Sequence, residues 1–366
     1  MMRTYKFRIE PTKDQRQKID KTLLYCRRLY NACLEQRIIV YKMHKRNGIS
    51  LSYYTQKKEL PPLKTACPEY KTVHSQVLQN VVERLDKAFQ SFFQRIIKGE
   101  KKPGFPRFKG SNRYHSFTYP QSGFSLNGNY MKLSKIGNIR IKLHRQVTGK
   151  IKTCTVVCKN GKYFVCLSCE EQPQECLEHT KMVGVDLGIK NLATTSDGHF
   201  FHSPKFLRKS ESQLKRLQRI VSKRKKGSNR RKKAVTLLAK KHEYIANQRK
   251  NNSHQVSRQL VNQYDVIAFE NLKIKNMLKN HHLAKSIGDA GWNQLINYTT
   301  YKAESAGKRV VLVDPKNTSQ ECSNCHEMVN KPLAVRVHDC PFCGLKCDRD
   351  VNASINILHR AIELLS

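Results

Sequence analysis

Two cysteine pairs stand near the C-terminus, Cys322-Ser323-Asn324-Cys325 and Cys340-Pro341-Phe342-Cys343, with fourteen residues between them. Each pair forms a tight knuckle presenting two thiolates, and four thiolates complete the tetrahedral shell of one structural zinc ion. Cys347, four residues further on, competes as an alternative ligand. Three acids form a second constellation. Asp186 closes the apolar run Met182-Val183-Gly184-Val185, Glu270 closes Val266-Ile267-Ala268-Phe269, and Asp350 opens the C-terminal helical pattern seven residues after Cys343. Any one such acid reads as a helix cap or turn former. Together they can converge, because sites in open α/β sheets form at the carboxyl ends of strands. Clustered carboxylates repel one another unless cations neutralise them, and Mg²⁺, with Mn²⁺ as a substitute, prefers such oxygen ligands. Two metals about 3.5–4 Å apart can activate water and stabilise the leaving oxygen in phosphodiester cleavage. Asp348 competes with Asp350 for the third position, which Asp350 takes because it leads directly into the helix. Asp314 also ends a strand-like run, but Pro315 follows and a turn explains it. Gly184 and Gly188 flank Asp186 and are expected to let a substrate approach the backbone.

The charge supports a polyanionic substrate. The 366 residues carry 69 Lys+Arg against 28 Asp+Glu, a formal charge of +41. Neutralising phosphates releases counterions, so such an excess favours nucleic acid. Residues 205–250 hold 18 Lys/Arg and two Glu, with Lys223-Arg224-Lys225-Lys226 the densest run. Like charges at that density need a polyanion. Phe105, Phe108, Tyr114, Phe117 and Tyr119 alternate with Lys101, Lys102, Arg107, Lys109 and Arg113. They can stack on unpaired bases or fill a barrel core. A membrane partner is not expected, because no run of roughly 18 apolar residues exists and Met1-Met2-Arg3-Thr4-Tyr5-Lys6 lacks a signal-peptide core. The 13 cysteines suit a reducing cytoplasm rather than a disulfide framework, with association to the nucleoid. Cys166 and Cys169 form a further CxxC inside a strand-like run and read as core packing.

The elements that must hold these residues are a multidomain α/β architecture plus a β-barrel. Tyr5, Phe7 and Ile9 alternate with Thr4, Lys6 and Arg8, as in a strand with one buried face. Pro11-Thr12 with Gln15 reads as a capped helix start. Ile19, Leu23, Cys26, Tyr30 and Cys33 then mark one long helix, and Leu78, Val82, Leu85, Phe89, Phe92 and Ile96 a second. This helical lobe spans about 12–98 and ends in the Gly- and Pro-rich segment 98–110. Short strands with turns at Asn127-Gly128, Gly137-Asn138 and Asn160-Gly161 run to about 175 and suggest a small barrel that the first strand completes. From 181 strands and helices mix. A helix near 290–306 and a strand at 310–314 precede the cysteine knuckles, and a helix over 351–365 closes the chain.

These residues resemble a known family. Gly184-Val185-Asp186-Leu187-Gly188-Ile189-Lys190-Asn191, Phe269-Glu270-Asn271-Leu272 and Asp348-Arg349-Asp350-Val351-Asn352-Ala353 resemble the three RuvC motifs of TnpB (OrfB) proteins. These proteins are encoded by bacterial insertion sequences and are ancestral to type V CRISPR effectors. Asp314-Pro315-Lys316-Asn317-Thr318-Ser319-Gln320-Glu321-Cys322, Lys102-Pro103-Gly104-Phe105-Pro106-Arg107-Phe108-Lys109 and Tyr5-Lys6-Phe7-Arg8-Ile9-Glu10-Pro11-Thr12 also fit. His326 stands where the family commonly has Gly. The resemblance implies a wedge β-barrel from 1–10 and 103–178, with a helical recognition lobe (11–102) inserted. It further implies a RuvC/RNase H-like nuclease domain from 179–317 and 345–366, with a zinc-binding, target-nucleic-acid-binding module (318–344) inserted. It implies an RNA-guided DNA endonuclease, monomeric in its RNA complex, with a guide RNA derived from the transposon end. The target would be double-stranded DNA beside a short motif, for which Tyr53, Lys57 and Gln79 are the best local matches to motif readers. A guide-RNA-dependent DNA-binding repressor without cleavage and a DNA-joining transposase are the alternatives. The intact acids count against the repressor.

Overall fold

The computed structural model describes residues 2–44, 51–111, 113–172, 180–332 and 335–366. The chain divides into two compact units, 1–172 and 173–366. The expected boundary at 178–179 lies outside the described residues.

In the first unit, strand β1 (Met2–Glu10) leads into helix α1 (Lys13–His44). The turn between them is a capping box, in which the Thr12 amide donates to Gln15 Oε1 and the Gln15 amide to Thr12 Oγ1. Helices α2 (Tyr53–Lys58), α3 (Leu60–Ala66) and α4 (Ser75–Ile97) follow. Strands β2 (Ser116–Tyr119), β3 (Phe124–Asn127), β4 (Tyr130–Leu133), β5 (Gly137–Lys142), β6 (Lys150–Lys159) and β7 (Lys162–Glu170) complete the unit. The sheet order is β2-β6-β7-β1-β5-β4-β3, so β1 lies at its centre, antiparallel to both β7 and β5. Tyr5, Phe7 and Ile9 are buried, and each contributes about 1.5–3 kcal/mol of apolar burial. No main-chain ladder joins edge strands β2 and β3 among the described residues. The edges instead meet through side chains. The Tyr119 ring lies 6.4 Å from Phe124, and the Tyr119 hydroxyl donates to the Ser134 carbonyl at 2.8 Å.

In the second unit, β8 (Met182–Asp186), β9 (Asn191–Thr195) and β10 (Phe200–His202) form an antiparallel meander. Helices α5 (Phe206–Lys223) and α6 (Asn229–Gln263) pack together as a hairpin and lead to β11 (Val266–Glu270). Helices α7 (Ile274–Met277), α8 (His281–Ala290) and α9 (Trp292–Ser305) lead to β12 (Arg309–Val313). The order is β10-β9-β8-β11-β12, with β8, β11 and β12 parallel. Strands β13 (Val337–Asp339) and β14 (Lys346–Asp348) form a small hairpin before helix α10 (Arg349–Glu363).

Side-chain alternation assigns the two faces of this sheet. Val183, Val185, Ile267 and Phe269 pack with Val256, Leu260 and Leu295 from α6 and α9. Ala268 and Val313 pack with Ile357 and Ala361 from α10. Gly184 is a position where only a glycine fits. A Cβ there would lie 1.9 Å from the Ser354 carbonyl oxygen and 2.7 Å from the Leu358 nitrogen. The space at Gly184 therefore belongs to α10, which corrects the expectation that a substrate approaches there. At Gly188 a Cβ would meet the Asn191 carbonyl oxygen at 2.8 Å, so that glycine serves the local turn.

Candidate active site and cysteine centre

The sheet register explains how the acids meet. Ala268 pairs with Gly184 and Phe269 with Val185, so Glu270 and Asp186 leave adjacent parallel strands side by side. Both share the parity of Ala268 and Gly184, the residues facing α10. Asp350 lies in the first turn of that helix, one turn before the Ser354 that seats on Gly184. Asp186 is half-buried, and Glu270 and Asp350 are buried. Burial, followed by the charges of Glu270 and Asp350, holds the Asp186 carboxyl well above the usual carboxylate range, while Arg349 opposes this. Burial also raises Glu270, against a hydrogen bond from Thr318 Oγ1 and the charge of Arg360. At Asp350, Arg336 Nη1 lies 3.5 Å and Arg349 Nε 3.9 Å from Oδ1. Three desolvated carboxylates on one face are an oxygen donor set suited to a hard divalent cation. They do not close into a cluster as tight as that of the cysteines.

The rival acids have other work. Asp348 Oδ1 accepts from the Asp350 amide at 2.8 Å and caps α10. Asp314 Oδ1 accepts from the Lys316 amide at 3.1 Å, as expected of a turn former.

Cys322, Cys325, Cys340 and Cys343 bring their sulfurs within 4.8 Å of one another. The Cys322–Cys343 and Cys325–Cys340 separations are both 3.6 Å. A tetrahedral ion with bonds of about 2.3 Å to sulfur needs edges of about 3.8 Å, so the four thiols fit one metal ion. A hydrogen bond from the Asn324 side chain, then one from the Leu345 backbone, hold the Cys343 thiol down at about 6, favouring the ligating thiolate. Cys347 lies outside this group, paired across β13–β14 with His338. His326 has φ of 62°, a left-handed conformation that glycine adopts without strain.

Sequence reasoning missed the groups that hold the two centres together. Asn352 Oδ1 accepts from the Ser323 amide at 2.9 Å, and its Nδ2 donates to the Glu321 carbonyl at 2.7 Å. Asn356 Nδ2 donates to the Thr318 and Glu321 carbonyls. Arg360 reaches Glu321 Oε2 at 2.6 Å and the carbonyls of Asp314 and Lys316. The available signal was polar residues at 352, 356 and 360, one face of a helix whose other face is apolar. Trp292 Nε1 donates to the Gly188 carbonyl at 3.1 Å, pinning the turn after Asp186.

The expected nucleic-acid contacts fall in several places. Lys223 ends α5, and Arg224, Lys225 and Lys226 occupy the exposed tip of the α5–α6 hairpin. Tyr53, Lys57 and Gln79 line one groove of about 450 Å³ together with Asn80 and Gln121. Arg107 is exposed. Lys109 folds back, its Nζ 5.3 Å over the Tyr30 ring and its amide bonded to Asn31 Oδ1. Tyr114, Phe117 and Tyr119 are core residues, which leaves Phe105 and Phe108 exposed.

Comparison with known proteins places this architecture in a class and then in a family. Residues 164–281 match the transposon-protein family described as "Probable transposase", and residues 292–357 match the "Cas12f1-like, TNB domain". Residues 1–46 match a family described as a helix-turn-helix domain, although the described residues there form one strand and one continuous helix. A Streptomyces pristinaespiralis protein named "Putative RNA-guided DNA endonuclease" is 32% identical over 369 residues, covering 97% of this chain and 88% of that protein. "Putative RNA-guided DNA endonuclease InsQ" of Escherichia coli K12 is 30% identical over 378 residues, covering 98% and 92%. The chain belongs to the TnpB (OrfB) family. In fold it is similar to the solved "mini-RNA-guided endonuclease CRISPR-Cas_phi3", with a TM-score of 0.51 at 9% identity, covering 99% of this chain and 92% of that one. No helix among the described residues is long and apolar enough to cross a membrane.

Proposed function

We infer that this chain is an RNA-guided DNA endonuclease of a transposable element, cutting through Asp186, Glu270 and Asp350 in a RuvC-like (RNase H-like) unit. The observation that carries the reading is the meeting of three desolvated carboxylates at one sheet face, Asp186 and Glu270 raised chiefly by burial and Asp350 paired with Arg336. These acids would hold Mg²⁺, which would supply an activated water and a counter-charge for the leaving oxygen of the scissile phosphodiester. The chain's own residues set the stage. Thr318 orients Glu270, Asp348 fixes the start of α10, and Trp292 holds the turn beyond Asp186. The four cysteines would hold one structural zinc. The guide RNA, transcribed from the transposon end, would pair with the target strand, so the protein needs specific contacts only to a short adjacent duplex motif. The groove of Tyr53, Lys57 and Gln79 in the helical lobe is assigned that contact, and the wedge is assigned to the curled sheet. The α5–α6 tip is assigned phosphate contacts in a monomeric complex.

The test is to sequence the RNA that copurifies with the protein and assay cleavage of a matched duplex with and without Mg²⁺. Asp186→Ala, Glu270→Ala and Asp350→Ala should each stop cutting and leave guided binding intact. Guided binding without any cutting by the wild-type chain would instead indicate a repressor, and strand joining would indicate a transposase.

A further inference from the structure

The apolar stripe of α4 continues past the core it serves. Val77, Leu78, Val81, Val82 and Leu85 are buried, but Phe93 is 53% and Ile97 83% exposed. The segment after the helix adds Phe105, 45% exposed. Its ring plane is perpendicular to that of Phe89 at 5.5 Å and nearly so to that of Phe92 at 5.2 Å, and Phe92 meets Phe93 at 5.3 Å. This cluster is built rather than incidental. Arg95 donates to the Gly104 carbonyl at 3.2 Å and to the Ser91 carbonyl at 3.0 Å, which pins the returning segment to the helix. On the inner side, the Arg37 guanidinium lies 5.1 Å over the Phe89 ring and is itself paired with Asp86 at 2.9 Å.

The surroundings identify the occupant. Between residues 92 and 109 the chain carries Arg95, Lys98, Lys101, Lys102, Arg107 and Lys109, with Glu100 the one acid. A second copy of this chain would set like charge against like charge. A nucleic-acid strand brings phosphates to the lysines and arginines, and every unpaired base offers a face to a phenylalanine. A base-paired duplex has no free faces, and unpaired loops and ends are where RNA meets aromatic side chains. An apolar patch this exposed marks an interaction site, and a carried RNA would meet it before any target DNA does.

We propose that Phe93 and Phe105 form a stacking platform for unpaired nucleotides of the RNA this chain carries. The proposal rests on the reading above that the chain is RNA-guided. The test uses full-length protein with its copurified RNA, irradiated with ultraviolet light, digested with nuclease and analysed by mass spectrometry. Nucleotide-linked peptides should contain Phe93 or Phe105 and carry ribose. In filter binding, Phe93→Ala and Phe105→Ala should each weaken RNA binding about 5- to 150-fold, the range for one lost base stack. The salt slope should not change, because no phosphate contact is removed. Phe105→Trp should restore affinity. Both positions are exposed, so circular dichroism should show both alanine variants folded. RNA-bound protein whose crosslinks avoid these residues and whose variants bind at wild-type affinity would overturn the platform alone. Crosslinks carrying deoxyribose, or a wild-type dimer that Phe93→Ala dissociates without effect on RNA, would do the same. A protein that binds no RNA would overturn the platform and the guided-nuclease reading together.

Discussion

Replacing Gly184 with alanine tests whether packing of α10 against β8 sets the geometry of the acids. The added Cβ would lie 1.9 Å from the Ser354 carbonyl oxygen, and Cβ contacts essentially never fall below 3.0 Å. Strand and helix must therefore separate by at least about 1.1 Å. Both offending atoms at Ser354 and Leu358 are backbone, so no rotamer relieves the clash. Overpacking of this kind costs about 1–3 kcal/mol. Asp350 rides on the displaced helix one turn away, while Asp186 stays on the strand. A misplacement of about 1 Å can cost about 10²-fold in rate. Gly184→Ala should therefore slow single-turnover cleavage about 100-fold and lower stability, while guide-directed DNA binding remains. The control is Gly288→Ala in α8, where an added Cβ meets nothing within 4 Å. It should be neutral or stabilising by up to about 1 kcal/mol. A Gly184→Ala protein that cuts at the wild-type rate would refute the claim that this contact positions the acids.

Other expectations follow from the same contacts. Asp348→Ala should cost about 1 kcal/mol as a lost helix cap and slow cutting less than tenfold, measured beside Asp350→Ala, which should stop it. Reversal of that order would move the third ligand to Asp348. Elemental analysis should find one zinc per chain, lost in Cys322→Ser or Cys340→Ser. Asn352→Ala should lower stability by about 1–3 kcal/mol, since it leaves the Ser323 amide without its partner while Asn356 still serves the Glu321 carbonyl, and should slow cleavage more than it weakens binding. Lys302 donates to the His254 carbonyl and to Ser257 Oγ between α9 and α6, and burial pulls its ammonium down to about 8. The unfolded chain then binds the extra proton above that pH. Stability contributed at this site should rise from about pH 8 towards the ordinary lysine range near 10.4. Denaturation of wild type and Lys302→Met at three pH values would expose this difference, and parallel pH profiles would disprove it.

Local patterns made much of this legible. The alternation of residues 3–9, the capping box at Thr12 and Gln15, and the stripe from Ile19 to Cys33 each need only neighbours to be read. The same is true of apolar strands ending on Asp186 and Glu270. What escaped depends on distance. Asn356 and Thr318 are 38 residues apart and Arg360 and Lys316 are 44, so no local period connects them. The glycines were misread because a missing side chain looks the same whether a substrate or a helix fills the space. The aromatics of 105–119 divided by strand periodicity. Phe117 and Tyr119 alternate into the core from β2, whereas Phe105 and Phe108 lie between α4 and β2, outside any strand.

The polar face of α10 explains why the cysteine knuckle sits where it does in the chain. An insert between β12 and α10 with four cysteines suited to one metal ion could have been a passive spacer. Instead, Asn352, Asn356 and Arg360 bind the backbone of residues 314–323, and the Arg349 amide donates to the Arg336 carbonyl across the knuckle. The apolar face of the same helix is fixed by Ile357 and Ala361 on the sheet. Asp350 therefore sits at the start of a helix clamped on one side by the strands that carry Asp186 and Glu270, and on the other by the knuckle. The two sets of contacts thus hold α10 from opposite faces. Folding of a knuckle of this kind is in turn linked to metal binding. The site suited to binding metal through sulfur thus sets the position of an acid in the site suited to binding metal through oxygen. That coupling gives a structural reason for the short spacing from Cys343 to Asp350, because a longer connection would let the knuckle form without orienting the helix.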